Sequence, residues 1–352
     1  MSMSVNKKKA VALISGGLDS LLAAKIIKDQ GIHVEGINFF TGFCVEGHTH
    51  AIRKKKTDKP KRNNALWCAE QLDIKLHIID VIEEYKDVLL NPKYGYGKNM
   101  NPCLDCKIFM VKKAKEWAKE NGFDFIITGE VIGQRPMSQR KETMPVVQEK
   151  SGVNNLLLRP LSAKNLPETL PEINGWVNRE DLFDFSGRNR KPQMALAKSF
   201  GFLDYATPAG GCCFLTDKQY SDKLVDLWKG RGDRKYDFDD IMLLKIGRHI
   251  RPADNYKVIV SREEGENMFL KGYFNQFISI RVVSCGGPVA LIDGMPSEDD
   301  IKLAARIVAR YSQGREMDSI KVEVRKGRND TETYELEVAP AKPNEIKKEW
   351  YV

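Results

Sequence analysis

The sequence predicts a doubly wound α/β protein, built on a parallel sheet, with a smaller α+β domain on its C-terminal side. Three observations lead there. In the first half, short apolar runs alternate with helical patterns, which implies parallel crossovers. In the last third, strand-like runs follow one another around one helix. At 352 residues the chain is long enough for two domains of roughly 100–200 residues each. The charged, Gly-containing stretch Gly230–Asp240 is the natural boundary, which sets the domains at 1–229 and 240–345.

Each element has its own justification. Lys9–Ser15 (KAVALIS) is a short apolar run, read as a buried strand. Leu18–Asp29 places Leu21, Leu22, Ile26 and Ile27 at helical spacing, and Gly31 stops it. His33–Phe40 is the next strand, Asn63–Leu72 a helix and Lys75–Asp80 a strand. Leu104–Glu120 is an amphipathic helix ended by Asn121-Gly122, and Phe123–Gly129 and Asn155–Leu161 are two more strands. Pro167–Arg190 has little regular pattern. Helices follow at Pro192–Phe200 and Lys218–Lys229, on either side of the turn-rich loop Thr207–Cys213. Beyond the boundary, strands are expected at Ile241–Ile246, Lys257–Ser261, Phe277–Val283, Val289–Asp293, Ser319–Arg325 and Thr333–Val338, with a helix at Glu298–Tyr311.

Composition excludes several classes. Hydrophobic residues make up 42% and charged residues 30%, which fits a folded chain with a sizeable core rather than a disordered one. No stretch reaches the roughly 20 apolar residues of a membrane span. The N-terminus has a short apolar run but no cleavage site of the secretory kind, so a cytoplasmic protein is expected. The formal net charge is +8, and Ala51–Arg62 (AIRKKKTDKPKR) alone supplies +6 through seven basic residues and one Asp. Such a run is either a solvated loop or a contact for a polyanion such as RNA, with Lys54, Lys55, Lys56, Lys59 and Lys61 as the phosphate contacts.

The sharpest motif is Ser15-Gly16-Gly17-Leu18-Asp19-Ser20, between a strand and a helix. Two glycines let the backbone approach a ligand closely. The helix N-terminus favours an anion there, and Asp19 is placed to hold a magnesium ion on phosphates. The hexapeptide resembles the pyrophosphate loop of the PP-loop ATPases, the N-type ATP pyrophosphatases of the adenine nucleotide alpha hydrolase-like fold. The resemblance implies that ATP is cut between its α- and β-phosphates while an acceptor is adenylated, with the adenine against the end of the second strand around Gly36–Phe39.

Three further segments resemble PP-loop enzymes that place sulfur in tRNA. Thr128-Gly129-Glu130 with Gly133-Gln134 and Ser138-Gln139 looks like the TGE-x-x-GQ-x-x-SQ segment of 4-thiouridine synthetases, as does Leu158-Arg159-Pro160-Leu161. Asn101-Pro102-Cys103-Leu104-Asp105-Cys106 resembles the cysteine-bearing segment of 2-thiouridylases and cluster-dependent thiolases. The likeness covers roughly residues 9–217 and implies that Gly129 and Gln134 join Ser15, Gly16, Gly17, Asp19 and Ser20 around the nucleotide. Because the loop begins at residue 15, no RNA-binding domain of the 4-thiouridine synthetase kind is expected ahead of it, nor an appended sulfurtransferase domain. RNA contacts are then expected from the basic run, Arg135, Arg140, Lys141, Arg188, Arg190 and the C-terminal domain. In that domain Lys245–Arg248 and Val258–Arg262 resemble the small RNA-associated domain of ribosome quality-control factors; a plain dimerisation or packing module is the alternative.

Seven cysteines, an odd number in a chain of this size, do not read as a disulfide framework. Cys103 and Cys106 lie on one helical face, and a helix N-terminus favours thiolate. Cys212 or Cys213 is the natural third ligand. Three cysteines suit a [4Fe-4S] cluster with an open iron, and Cys212 is preferred because it directly follows Gly210-Gly211, as the single loop cysteine does in related thiolases. A redox pair with a persulfide carrier is the competing design. Cys44, Cys68 and Cys285 have no partner in sequence and read as packing thiols; His48 and His50 near Cys44 are a weak metal signal.

The expected function is therefore an ATP-dependent tRNA sulfurtransferase that adenylates a uridine and replaces its oxygen with sulfur, giving 4-thiouridine or 2-thiouridine. Cys103, Cys106 and Cys212 would handle sulfur supplied as sulfide or by a persulfide carrier. The cofactors would be ATP, Mg2+ and the cluster; the partners would be tRNA, the sulfur donor and a second copy of the chain, with no membrane. A PP-loop ligase for a small-molecule acceptor, or a non-catalytic RNA-binding adaptor, would share the scaffold.

Overall fold

A computed structural model describes residues 7–45, 62–206, 212–327 and 330–352. The chain divides into two compact units, the first holding residues 7–44 and 62–213 and the second running from 214.

The first unit begins with β1 (Lys9–Leu13), α1 (Leu18–Asp29), β2 (His33–Phe40), α2 (Asn64–Leu72), β3 (Leu76–Asp80), α3 (Ile82–Leu90) and α4 (Cys103–Glu120). β4 (Phe125–Thr128), α5 (Thr143–Lys150), β5 (Leu157–Leu158), the one-turn α6 (Leu170–Ile173) and α7 (Lys191–Ser199) complete it. The five strands are parallel in the order β3-β2-β1-β4-β5. Both faces of the sheet are covered, as an all-parallel sheet requires. Leu21, Leu22 and Ile27 of α1 pack on one face with Cys68 of α2 and Ala197 of α7. Val111, Ala114 and Ala118 of α4 and Val147 of α5 pack on the other. This is the doubly wound sheet the alternation predicts. Strand order reverses between β1 and β4, so the loops leaving those two strands open side by side.

Local chemistry sets the helix ends. The Asn63 side chain accepts hydrogen bonds from the Ala65 and Leu66 amides at the start of α2. Asp105 accepts from the amides of Lys93 and Tyr94, fastening the preceding loop to the first turn of α4.

The second unit contains α8 (Lys218–Arg231), α9 (Phe238–Leu244), β6 (Arg248–Ala253), β7 (Tyr256–Val260), α10 (Glu264–Lys271), β8 (Ile278–Val282), β9 (Val289–Gly294), α11 (Glu298–Arg310), β10 (Ile320–Gly327) and β11 (Asp330–Val338). Its six strands are antiparallel in the order β11-β10-β8-β9-β7-β6. Ile301, Ala305 and Val308 of α11 cover one face. Met242 and Leu243 of α9 and Leu270 of α10 belong to the cluster that includes Ile259 and Leu291 of β7 and β9.

The expected strand at Ile241–Ile246 is instead the end of helix α9 and the turn after it. Its residues are buried on every side, so the run has no helical stripe to read. The cap decides: Asp237 and Asp240 form a reciprocal capping box, and Arg231 grips Asp240 with two 2.6 Å hydrogen bonds. β6, α3, α5 and α10 go beyond the expected elements. β6 (RHIRPA) is polar and contains Pro252, which a strand tolerates at the edge of a sheet, where β6 lies.

Candidate active site

The Ser15–Ser20 loop leaves β1 and enters α1. Gly16 has φ +81°, in the left-handed region that glycine adopts without a Cβ penalty. The Ser20 hydroxyl donates to the Gly17 carbonyl at 2.8 Å and accepts from the Ser15 amide at 3.3 Å, closing the loop on itself. Asp19 stands in the first turn of α1.

The loop after β4 is joined to this turn in two ways. Gly129 passes so close to α1 that a Cβ there would lie 2.4 Å from the backbone carbon and oxygen of Asp19 and 2.5 Å from the Ser20 nitrogen. Gln134 then donates from Nε2 to Asp19 Oδ2 at 2.6 Å. Gln193 of α7, fully buried, donates to Gln134 Oε1 at 3.0 Å, and Arg190 places its guanidinium 3.8 Å from Asp19 Oδ2. Asp19 Oδ1 is buried without a partner. An unsatisfied carboxylate oxygen in this position fits a ligand to a magnesium ion carried on nucleotide phosphates.

Below this layer lies a buried ion pair. Glu130 accepts from Thr128 at 2.8 Å and from Arg159 Nε at 3.2 Å, with Lys107 at 3.8 Å. Burial alone would push Glu130 up, but Lys107 and Arg159 hold its carboxyl below the usual value. The predicted TGE and LRPL segments therefore meet in one salt bridge.

The cysteines do not form the expected cluster site. Among the described residues no group of three or more Cys, His, Asp or Glu side chains is placed to hold a metal ion, which overturns the [4Fe-4S] assignment to Cys103, Cys106 and Cys212. The thiols turn to separate partners. Cys103 donates to Ser138 Oγ at 3.2 Å, Cys106 is half-buried beside Tyr85, and Cys213 donates to Cys212 and approaches Asn101 Oδ1 at 3.7 Å.

Their acidities also depart from the helix-terminus expectation. Burial pushes Cys106 up to about 12, with the Cys212 charge adding to it, so desolvation outweighs the dipole of α4. Cys212 is pulled down to about 5 by the hydrogen bond from Cys213, with Arg135 and Lys107 adding positive charge. Arg135, expected to contact RNA, thus stands beside the most acidic thiol. Cys44, read as a packing residue, is paired with Cys213 in an isolated antiparallel bridge. Gln193 escaped the sequence reading and Arg190 was expected at RNA rather than beside Asp19, because no motif links positions so far apart. Lys54, Lys55, Lys56, Lys59, Lys61, His48 and His50 lie outside the described residues. Among the described residues no helix is long and apolar enough to cross a membrane.

Residues 5–174 match a family model described as thiamine biosynthesis protein (ThiI), and residues 247–351 one described as NFACT protein RNA binding domain. The tRNA-specific 2-thiouridylase MnmA of Petrotoga mobilis is 34% identical over 134 residues, 36% of this chain and 36% of that protein. MnmA of Treponema denticola is 26% identical over 254 residues, 68% of this chain and 63% of that protein. The chain spans between about a third and just under two thirds of the curated relatives it matches. A solved 4-thiouridine synthetase–RNA complex with bound ATP aligns at 21% identity and a TM-score of 0.40, covering 60% of this chain and 46% of that one. A parallel sheet that presents the Ser15–Ser20 loop at its switch point, in the segment matched by the ThiI model, makes the first unit a PP-loop ATPase-like domain. Within that class its matched segments are similar to ThiI and to the 2-thiouridylase MnmA.

Proposed function

We propose that this protein is an ATP-dependent tRNA sulfurtransferase that converts a uridine to 4-thiouridine or 2-thiouridine. The observation that carries the reading is the set of thiols Cys103, Cys106, Cys212 and Cys213 in the same unit as the pyrophosphate loop. A ligase acting on a small amine or acid needs no such thiol.

In this reading the amides of the Ser15–Ser20 loop and the N-terminus of α1 receive the phosphates of ATP. Asp19, fixed by Gln134, would hold the accompanying magnesium ion, whose charge would neutralise that of the phosphates. The uracil carbonyl oxygen attacks the α-phosphorus and pyrophosphate leaves. A persulfide on Cys212, loaded from a sulfur carrier, attacks the activated carbon and AMP leaves. A thiolate of the Cys103–Cys106 pair then attacks the Cys212 sulfur. The S–S bond breaks toward the uridine, leaving thiouridine and an enzyme disulfide. The target base leaves its stack to reach the cleft. The RNA is held by Arg135, by the 53–62 run and by the C-terminal unit, whose match to an RNA-binding model supports that role.

Nucleoside mass spectrometry of tRNA from a strain lacking the protein tests the reading. Loss of one thiouridine is expected; an unchanged thionucleoside profile would refute it.

A further inference from the structure

We propose that Cys44 and Cys213 are a second thiol pair of the N-terminal unit, which closes reversibly into a disulfide and thereby takes over the oxidation left on the enzyme by sulfur transfer. The relay part of this proposal rests on the function proposed above; the pairing does not.

The backbone brings the two residues together. Cys44 and Cys213 are directly opposed in an antiparallel bridge. Directly opposed residues send their side chains to the same side of the pair. Their Cα atoms stand about 4.5–5.5 Å apart, whichever of the two antiparallel arrangements applies. A disulfide needs a Cα separation of about 4.4–6.8 Å, so closure requires no backbone movement. Both residues are half-buried cysteines outside any disulfide.

Both sulfurs make weak contacts. Cys44 Sγ lies 3.9 Å from the Phe39 carbonyl and 3.7 Å from Thr41 Oγ1, and Cys213 Sγ lies 3.7 Å from Asn101 Oδ1. A thiol is a poor donor and acceptor, so rotating the Cys44 sulfur sacrifices little, while turning Cys213 toward it gives up the hydrogen bond to Cys212. The same Cys213 donates to Cys212, so the pair is contiguous with the sulfur-bearing thiol. The chain also leaves the N-terminal unit directly after each of these two residues, so the bond would staple both exits of the unit.

The chemistry balances without an added oxidant, because the persulfide supplies the oxidising equivalent. Transfer leaves a disulfide between Cys212 and a cysteine of the Cys103–Cys106 pair. Cys213 thiolate attacks the sulfur of that partner, and the electron pair leaves on Cys212. Cys44 thiolate then attacks the Cys213 sulfur and expels the partner as thiolate. Two protons and two electrons have passed from Cys44 and Cys213 to Cys212 and its partner. A dithiol reductant returns the Cys44–Cys213 disulfide to two thiols. Cys212 is the favoured leaving group in the first exchange, because thiols of low pKa leave faster.

The test has two arms. First, the full chain is equilibrated in a series of reduced/oxidised glutathione buffers, acid-quenched, differentially alkylated and mapped by peptide mass spectrometry. The Cys44–Cys213 disulfide is expected at more reducing ratios than any other bond. In Cys44→Ser, Cys213 should instead carry glutathione. A Cys44 that stays alkylatable throughout, while Cys213 oxidises onto another cysteine, would overturn the pairing. Second, tRNA thiolation from a persulfide donor is followed under limiting dithiothreitol. The rate of later turnovers relative to the first should fall several-fold in Cys44→Ser; an unchanged ratio removes the relay. If the wild-type chain forms the disulfide but thiolates no tRNA, the function reading fails and the pair stands. If it thiolates tRNA with Cys44 reduced throughout, the pair fails and the function reading stands.

Discussion

Asp19 shows what one residue can and cannot reveal. Its place in the Ser15–Ser20 motif was legible, as was the chemistry of a carboxylate beside phosphates. The hydrogen bond from Gln134, and the support of Gln134 by Gln193, were not, because they join residues more than 50 positions apart. Asp19→Ala removes a charge at the mouth of the site, not a core group. It should abolish tRNA-dependent pyrophosphate release while leaving the far-UV circular-dichroism spectrum native, with stability lowered only by the cost of one unsatisfied buried amide, about 1–3 kcal/mol. Wild-type release from the variant would rule Asp19 out as the organising carboxylate. The cysteines teach the converse. Spacing put Cys103 and Cys106 on one helical face, but only the structure reveals that burial keeps Cys106 protonated while Cys212, on a loop, is the acidic thiol. A thiolate exists above its pKa, and thiolate is the alkylating form. Iodoacetamide should therefore label Cys212 with a half-maximal rate near pH 5 and a plateau through neutrality, and Cys106 only in strong alkali. A Cys212 profile centred near the ordinary thiol value would contradict the assignment.

At the scale of elements, the strands and helices of the parallel sheet could be read because their periodicities differ and Gly or Asn ends most of them. The failure at Ile241–Ile246 has a physical cause: a helix buried all round and a buried strand share one hydrophobic pattern, and the discriminating signal lay upstream in Asp237 and Asp240. Gly129 is a tightly constrained joint between elements. The atoms a Cβ would meet are backbone atoms of α1, which cannot rotate away. Gly129→Ala should cost about 1–3 kcal/mol, the range for forced overpacking, and displace the first turn of α1. A lower urea midpoint together with weakened ATP binding is expected. An unchanged midpoint would mean that β4 and α1 can separate without penalty.

For the whole molecule, the sequence supplied the fold class and the basic charge, but not the pairing of Cys44 with Cys213, which arises only when the chain returns to the same place. Electrostatics makes a testable statement here. If residues 53–62 touch RNA phosphates, changing Lys54, Lys55, Lys56, Lys59 and Lys61 to Gln should weaken tRNA binding. It should also flatten the log–log salt dependence by about 0.7–0.9 for each phosphate no longer neutralised, the increment expected from counterion release. Filter binding across a salt series measures both; an unaltered slope makes the run a solvated loop.

The C-terminal unit carries a buried charge cluster that bears on how the unit could travel between proteins. Lys257 on β7 is buried, and its ammonium lies 3.1 Å from Asp226 of α8, which also takes 2.5 and 3.0 Å hydrogen bonds from Arg251 of β6. The matched RNA-binding model begins at residue 247, downstream of α8. A piece excised at that point would keep Lys257 and Arg251 and lose the carboxylate they share, along with the buried Leu224, Leu227 and Trp228. Removing one partner from a buried ion pair costs about 3–5 kcal/mol, a large share of a small domain's stability. Residues 214–352 expressed alone should melt cooperatively, and residues 247–352 should not; equal melting curves would release Asp226 from this role. The folding module is therefore expected to be longer than the stretch that shows kinship, because a piece cut at the sequence match leaves Lys257 with Asp293 alone and Arg251 without Asp226.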